Sequence, residues 1–267
     1  MTEATLEARA LHCGYDGREV VGGVEVALQR GEFLGLIGPN GSGKTTLLKA
    51  LAGRLAPTAG EILLDGTPMR SRPRREVARL MAVVPQLSSP PFEFSVGEIV
   101  AMGRTPHLSR LQPEGPADRA AVERATDLTD TGQLAERAVT ELSGGEFQRV
   151  VIARALAQEA PLMLLDEPAA HLDIGHQVEI FDLLLRLNRT EQHSILCVSH
   201  DLNLAARYCD RLVALRDGLV FAEGAPGDVL TEELVSELYG CPVRIEIGPE
   251  GRPNVTPLSA ALAGERQ

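Results

Sequence analysis

The chain has 267 residues, 44% apolar and 24% charged, with a formal net charge of −11 at pH 7. These are globular proportions, enough for one large domain or about one and a half ordinary ones. The acidity, the absence of Trp and a 3% aromatic content argue against general binding to nucleic acid or to an anionic membrane surface.

The first residues carry neither a basic segment nor an apolar one, so they do not read as a secretory signal. No apolar run approaches the ~18 residues of a membrane span. Cys13, Cys197, Cys209 and Cys241 form no C-x-x-C pair, which suits a reducing compartment without a zinc or redox motif. Residues 4–36 alternate loosely and are punctuated by Gly14, Gly17, Gly22, Gly23 and Gly31. The pattern predicts short antiparallel strands joined by turns. Phe33 to Ile37 is a buried-strand run, residues 38–46 read Gly-Pro-Asn-Gly-Ser-Gly-Lys-Thr-Thr, and residues 47–52 predict a helix stopped by Gly53.

Residues 60–66 predict a strand ending in Asp-Gly. The arginines at 70, 72, 74, 75 and 79 read as a solvated face of a loop and helix. Leu80 to Val84 is a core strand stopped by Pro85. Leu87 to Pro91 is loop, and Ser95 with Glu98 makes a capping box that starts a helix through about Met102. Residues 117–128 predict a second helix, and no strand pattern appears between 87 and 140. From 146 onward helices and strands alternate: helix 147–156, strand 161–165, helix 178–187, strand 195–198, helix 202–208. Such alternation implies a parallel sheet covered on both faces. Asp217-Gly218 between apolar runs signals a hairpin. A short helix at 231–239 is stopped by Gly240, and alternation at 243, 245 and 247 predicts a terminal hairpin with a frayed end.

Three stretches carry chemistry. Residues 38–46 fit G-x-x-x-x-G-K-[ST] between a strand and a helix, with Gly38, Gly43, Lys44 and Thr45 in the fixed places. Pro39, Asn40, Gly41, Ser42 and Thr46 complete the loop. Glycines let backbone N–H groups turn inward on a phosphate, and the helix N-terminus adds partial positive charge. Lys44 supplies a point charge, and the Thr45 hydroxyl suits Mg²⁺. Leu162 to Leu165 is a buried strand ending in Asp166 and Glu167. Beside a phosphate loop, Asp166 would hold Mg²⁺ and Glu167 would act as general base on the attacking water. Ser143-Gly144-Gly145-Glu146 precedes a helix and offers a second helix N-terminus with N–H groups for an anion.

With these three elements in order, the chain resembles the ATP-binding subunits of ABC transporters over about residues 4–247. The resemblance implies an α/β phosphate-loop (RecA-like) NTPase core with an N-terminal antiparallel β subdomain and an inserted α-helical subdomain. The core would be residues 1–86 and 146–240 and the helical part 87–145, all within an ATPase domain of 1–247, with a C-terminal hairpin and tail at 241–267. It implies that Tyr15 stacks on adenine, that Gln86 reaches Mg²⁺ and the water, and that His200 contacts the γ-phosphate of ATP. It also implies that residues 169–173 cross to a partner through Asp173, and that Ser143, Gly144, Gly145 and Glu146 bind the ATP of a second copy. One triphosphate is then sandwiched in a head-to-tail homodimer. Two departures stand out: Glu146 where the family usually has Gln, expected to point away from the phosphate, and Ala169-Ala170 where Thr or Ser is common.

Three further stretches, 96–107, 171–177 and 201–206, resemble the importer ATPases for iron–siderophore, haem and cobalamin. That resemblance implies two integral-membrane permease subunits, an extracytoplasmic substrate-binding protein, a peripheral location on the cytoplasmic face of the inner membrane, and no nucleic-acid partner. The segment from Gln86 through His107 would dock a permease loop. Other readings within reach are a non-transport ABC ATPase, a metal-ion importer or exporter ATPase, and a phosphate-loop kinase or GTPase. The last explains neither Ser143 to Gly145 nor His200.

Overall fold

The computed structural model of the chain describes residues 4–86, 94–109, 113–248 and 250–259. The expected loop at 87–91 and the end of the tail, 260–267, lie outside the described residues. The chain forms two compact units, Met1–Pro68 with Leu196–Gln267, and Met69–Ile195.

The first unit begins with β1 (Ala4–Tyr15) and β2 (Arg18–Gln29), an antiparallel pair turned at Asp16-Gly17, both at positive φ. The strands are 12 residues each, not the short ones predicted. Gly22 and Gly23 sit inside β2 rather than in a turn. Gly23 has φ 71 and Ala10 of β1 has φ 41, and the register shifts between Ala8 and Leu11 and again before Cys13. Bulges therefore absorb the glycines and bend one long ribbon instead of ending two short ones. β3 (Phe33–Ile37) is wholly buried, which is what a continuous apolar run implies. α1 (Lys44–Leu51) stops at Ala52, followed by Gly53 at φ 66. β4 (Ala59–Leu64) pairs antiparallel with β1, and a turn at Asp65-Gly66 leads to β5 (Thr67–Pro68), giving the order β2-β1-β4-β5.

The second unit holds α2 (Arg74–Leu80), β6 (Met81–Val84), α3 (Val96–Ala101), α4 (Pro116–Leu128), α5 (Gly144–Ala157), β7 (Leu162–Asp166) and α6 (Ile174–Arg189). β6 and β7 are parallel. The Ser95–Glu98 capping box forms as predicted. α5 and α6 start three and four residues earlier than hydrophobic periodicity suggests. Ser143 and Asp173 cap them with side-chain oxygens and so recruit polar residues into the first turn. The arginine run is only partly a solvated face. Arg75 and Arg79 donate to the Pro106 carbonyl at 2.7 and 3.0 Å, and Arg75 also reaches the Leu108 carbonyl. Arg104, 4% exposed, ties its own segment to α4 and to the end of α5 through Asp118 at 3.0 Å, the Ala157 carbonyl at 2.7 Å and Glu159, just past α5, at 2.6 Å.

β8 (Ser194–Val198) leads back to the first unit, followed by α7 (Leu202–Tyr208), β9 (Arg211–Arg216), β10 (Leu219–Gly224), α8 (Pro226–Val229), α9 (Glu232–Tyr239), β11 (Val243–Ile247) and β12 (Pro253–Pro257). β9 runs parallel to β3 and antiparallel to β10. Asp217 and Gly218 both have positive φ, 50 and 79, so the hairpin expected from the dipeptide forms with a turn of type I′ sign. Gly240 ends α9 at φ 68, and β11 pairs with β12 as expected. Cys13, Cys197 and Cys209 are buried and Cys241 is exposed. Burial pushes the thiols of Cys13 and Cys209 up.

Candidate functional site

In the first unit, the loop between β3 and α1 is built on glycines in a backbone region that favours them. Gly38, Gly41 and Gly43 have φ of 145, 79 and 102, a region that costs other residues strain. A Cβ on Gly38 would also meet the Leu215 carbonyl at 2.2 Å. Lys44 is 5% exposed and donates to the Gly38 and Pro39 carbonyls at 2.8 and 2.9 Å, so its ammonium sits inside the curl of the loop. Ser42 N donates to the Pro39 carbonyl, and Leu47 N to the Gly43 carbonyl, continuing the turn into α1. Asn40 and Gly41 are exposed at the crest; Ser42 and Thr46 are buried behind it and Thr45 is half-buried.

Two other parts of this unit reach the loop. The tip of the β9–β10 hairpin donates Gly218 N to the Ser42 carbonyl at 3.0 Å, and the Gly218 carbonyl accepts from Gly22 N. A Cβ on Gly218 would lie 2.1 Å from the Val20 carbonyl, so the hairpin signal also marked a clasp on the phosphate loop. Beyond β8, Ser199 N donates to the Leu36 carbonyl at 3.1 Å. Leu36 is two residues before Gly38, so the chain delivers His200, exposed, at the same end of β3 as the loop. Tyr15 ends β1 and is 43% exposed, with a ring face able to stack.

In the second unit, β7 is buried throughout and ends at Asp166, itself buried. The next residue, Glu167, has φ 51. A non-glycine residue in this region is strained and is held there by its surroundings. Gln86, just past β6, donates Nε2 to Glu167 Oε2 at 2.9 Å. The parallel pairing of Val84 with Leu165 brings these two strand ends together. With its amide nitrogen on a carboxylate, Gln86 presents its amide oxygen as an acceptor.

Ser143, Gly144, Gly145 and Glu146 form the first turn of α5. Ser143 Oγ accepts from Glu146 N at 3.3 Å, while Glu146 Oε2 accepts from Ser143 N and from the Ser143 hydroxyl, both at 2.8 Å. The expectation that Glu146 points away is therefore corrected. A capping box turns its carboxylate back onto Ser143, because N3 is the position from which a Glu reaches the N-cap. These hydrogen bonds hold its pKa below the usual carboxylate value, and Arg137 stands 3.6 Å from it. Asp173 caps α6 in the same manner. Its Oδ1 accepts from His176 N at 2.9 Å and pairs with His176 Nδ1 at 2.8 Å, contacts that lower its pKa. In the sequence His176 stands out only within the stretch 171–177. Its spacing of three from Asp173 on a helix is the signal that could have singled it out.

An ABC transporter family model matches residues 21–170. A cobalamin import ATP-binding protein of Halobacterium salinarum is 42% identical over 255 residues, 95% of this chain, and the chain spans 64% of that relative's length. A ferric enterobactin transport ATP-binding protein of Escherichia coli is 41% identical over 261 residues, covering 97% of this chain and 96% of the relative. Among solved structures, the inward-facing conformation of a putative metal-chelate type ABC transporter aligns with a TM-score of 0.84 at 29% identity, covering 97% of this chain and 99% of that one. A phosphate loop, a strand-end acid pair and a capped Ser-Gly-Gly turn, within a chain of this likeness, place it by descent: the chain belongs to the ABC transporter family.

Proposed function

We propose that the chain is the ATP-hydrolysing subunit of an importer that takes up a metal chelate, of the iron–siderophore, haem or cobalamin class, through a separate membrane permease. The observation that carries this reading is the 41% identity over 97% of the chain to a ferric enterobactin transport ATP-binding protein. Among the described residues no helix is long and apolar enough to cross a membrane. The crossing then falls to two permease subunits, with this chain peripheral at their cytoplasmic face and an extracytoplasmic binding protein delivering the chelate.

The residues divide the work. The phosphate loop receives the triphosphate on its N–H groups, and Lys44 adds a charge to the outer phosphates. Thr45, Asp166 and the Gln86 amide oxygen are all hard oxygen donors, which fits Mg²⁺. When bound, the metal supplies positive charge to the phosphate oxygens. Glu167 takes the proton of the attacking water, and Gln86 holds its carboxylate in place. His200 donates to the γ-phosphate, and Tyr15 stacks on the base. Ser143 to Glu146 and Asp173 serve the nucleotide of a second copy, so ATP closes a homodimer. The segment from Gln86 through His107 docks a permease loop, and closure moves that contact.

The test is affinity purification of the tagged chain from membranes, followed by ATP-driven uptake of radiolabelled chelates into vesicles holding the co-purified proteins. Co-purification of a multi-span permease and ATP-dependent uptake of a chelate are expected. Hydrolysis stimulated by DNA or ribosomes with no permease bound overturns the reading; uptake of free manganese or zinc, or export, overturns its substrate class.

A further inference from the structure

The first turns of α5 and α6 meet at one side chain. A Cβ built on Gly145 would lie 2.4 Å from His176 Cδ2, 2.9 Å from Cγ and 3.2 Å from Nε2. The three nearest atoms all belong to that imidazole. Gly145 is not at positive φ, so backbone conformation does not demand glycine here. The constraint is the ring, because a Cβ would have to displace the imidazole that Asp173 holds. The same ring is fixed from the other side. An ionised carboxylate can only accept, so the contact between His176 Nδ1 and Asp173 Oδ1 is an Nδ1–H donation, which sets the tautomer. That oxygen also caps α6 through His176 N. Arg149 of α5 pairs with Glu179 of α6 at 3.1 Å one turn further on, so the two helices are joined at two levels.

We propose that His176 is a positioning residue that sets the Ser143–Gly145 turn and Asp173 in fixed register, so that both meet one nucleotide together. This rests on the reading that those residues face the ATP of a second copy. His176 touches no reacting atom. It acts by holding Gly145 against its ring edge and Asp173 on its Nδ1–H, so losing the donor leaves Asp173 Oδ1 on the backbone N–H of residue 176 alone, able to turn about that one bond, while the turn stays capped by its own Ser143–Glu146 box. A displacement of about 1 Å at groups that position a reaction can cost up to about 10²-fold in rate.

The test uses the full chain with His176→Asn, which keeps a donor near the Nδ1 position, His176→Phe, which keeps a ring without a donor, and His176→Ala. MgATP turnover is measured beside equilibrium binding of a fluorescent ATP analogue to the monomer. His176→Phe and His176→Ala are expected to lose about 10-fold or more in kcat, with monomer affinity unchanged, and His176→Asn to recover most of it. Wild-type turnover in all three, equal loss in all three, Phe matching Asn, or a parallel fall in monomer affinity each overturns the proposal. Ser143→Arg is the control for the underlying reading. If it abolishes turnover while the His176 variants are unaffected, only the positioning role fails; if Ser143→Arg itself turns over normally, the reading of the turn as a nucleotide site fails.

Discussion

Replacing Glu167 by Gln isolates one chemical property. The two side chains have the same length and branching, and the backbone at φ 51 is as strained for one as for the other. The Gln86 Nε2 donor, 2.9 Å from Oε2, finds an amide oxygen in the same place. Position, packing and the hydrogen bond survive, and what disappears is the ability to take a proton from water. General base catalysis contributes about 10²–10⁴-fold, or about 2.7–5.4 kcal/mol of barrier at 1.36 kcal/mol per decade. Single-turnover phosphate release should slow by that factor, ATP affinity should stay within about twofold, and the variant should elute as a dimer in MgATP. Turnover within about threefold of wild type would remove Glu167 from the role of base.

Lys44→Ala removes the cation that the Gly38 and Pro39 carbonyls enclose, and ATP binding by calorimetry should fall below detection; unchanged affinity would refute the phosphate-loop assignment. Glu146→Gln keeps an acceptor for Ser143 N while removing the negative charge that sits on the Ser143 hydroxyl, so half-maximal turnover should come at a few-fold lower ATP, and no change would show that this charge does not reach the phosphates. Gly103→Ala puts a Cβ 2.2 Å from the Arg154 carbonyl and 3.0 Å from Ala157 Cβ. Such overpacking costs about 1–3 kcal/mol, which urea denaturation would read as a lower midpoint, and an unchanged midpoint contradicts the packing described. Glu146 and Asp173 both titrate below the ordinary carboxylate range because they cap helices. Their contribution to stability is therefore complete above the unfolded carboxylate pKa and is lost only as pH falls through the lowered folded values. Acid unfolding followed by circular dichroism should shift to higher pH in Ser143→Ala; an unshifted curve would mean the cap is not coupled to folding.

The elements most legible in the sequence were those whose signal is local. The phosphate loop carries its glycines at the positions where φ must be positive. Asp217-Gly218 encoded its own turn type, and Ser95 with Glu98 its own cap. Two short apolar runs ending at Val84 and Leu165 gave the parallel strands that bring Gln86 to Glu167. What local pattern could not give was the destination of a side chain. Gly22 and Gly23 look like turn residues, and only pairing with β1 shows them to be bulges. Gly145 reads as part of a turn at a helix start, yet what crowds it is an imidazole 31 positions later. Glu146 was expected to point away from the phosphate on resemblance alone, although the three-residue spacing from Ser143 already contained the capping box. Arg75 and Arg79 looked like a solvated face because their acceptors are carbonyls near residue 106, and carbonyls leave no mark in a sequence.

The distribution of thiols has a practical consequence. Cys13, Cys197 and Cys209 are buried, and the raised pKa of Cys13 and Cys209 keeps those two out of the thiolate form that alkylating reagents attack. Cys241 is the exposed one of the four, between the glycine that ends α9 and the first residue of β11. A maleimide fluorophore or nitroxide spin label added to the unmodified protein therefore goes to a single known position. Distances between two such labels would test whether two copies approach and part through a cycle of nucleotide, with no cysteine removed and none introduced.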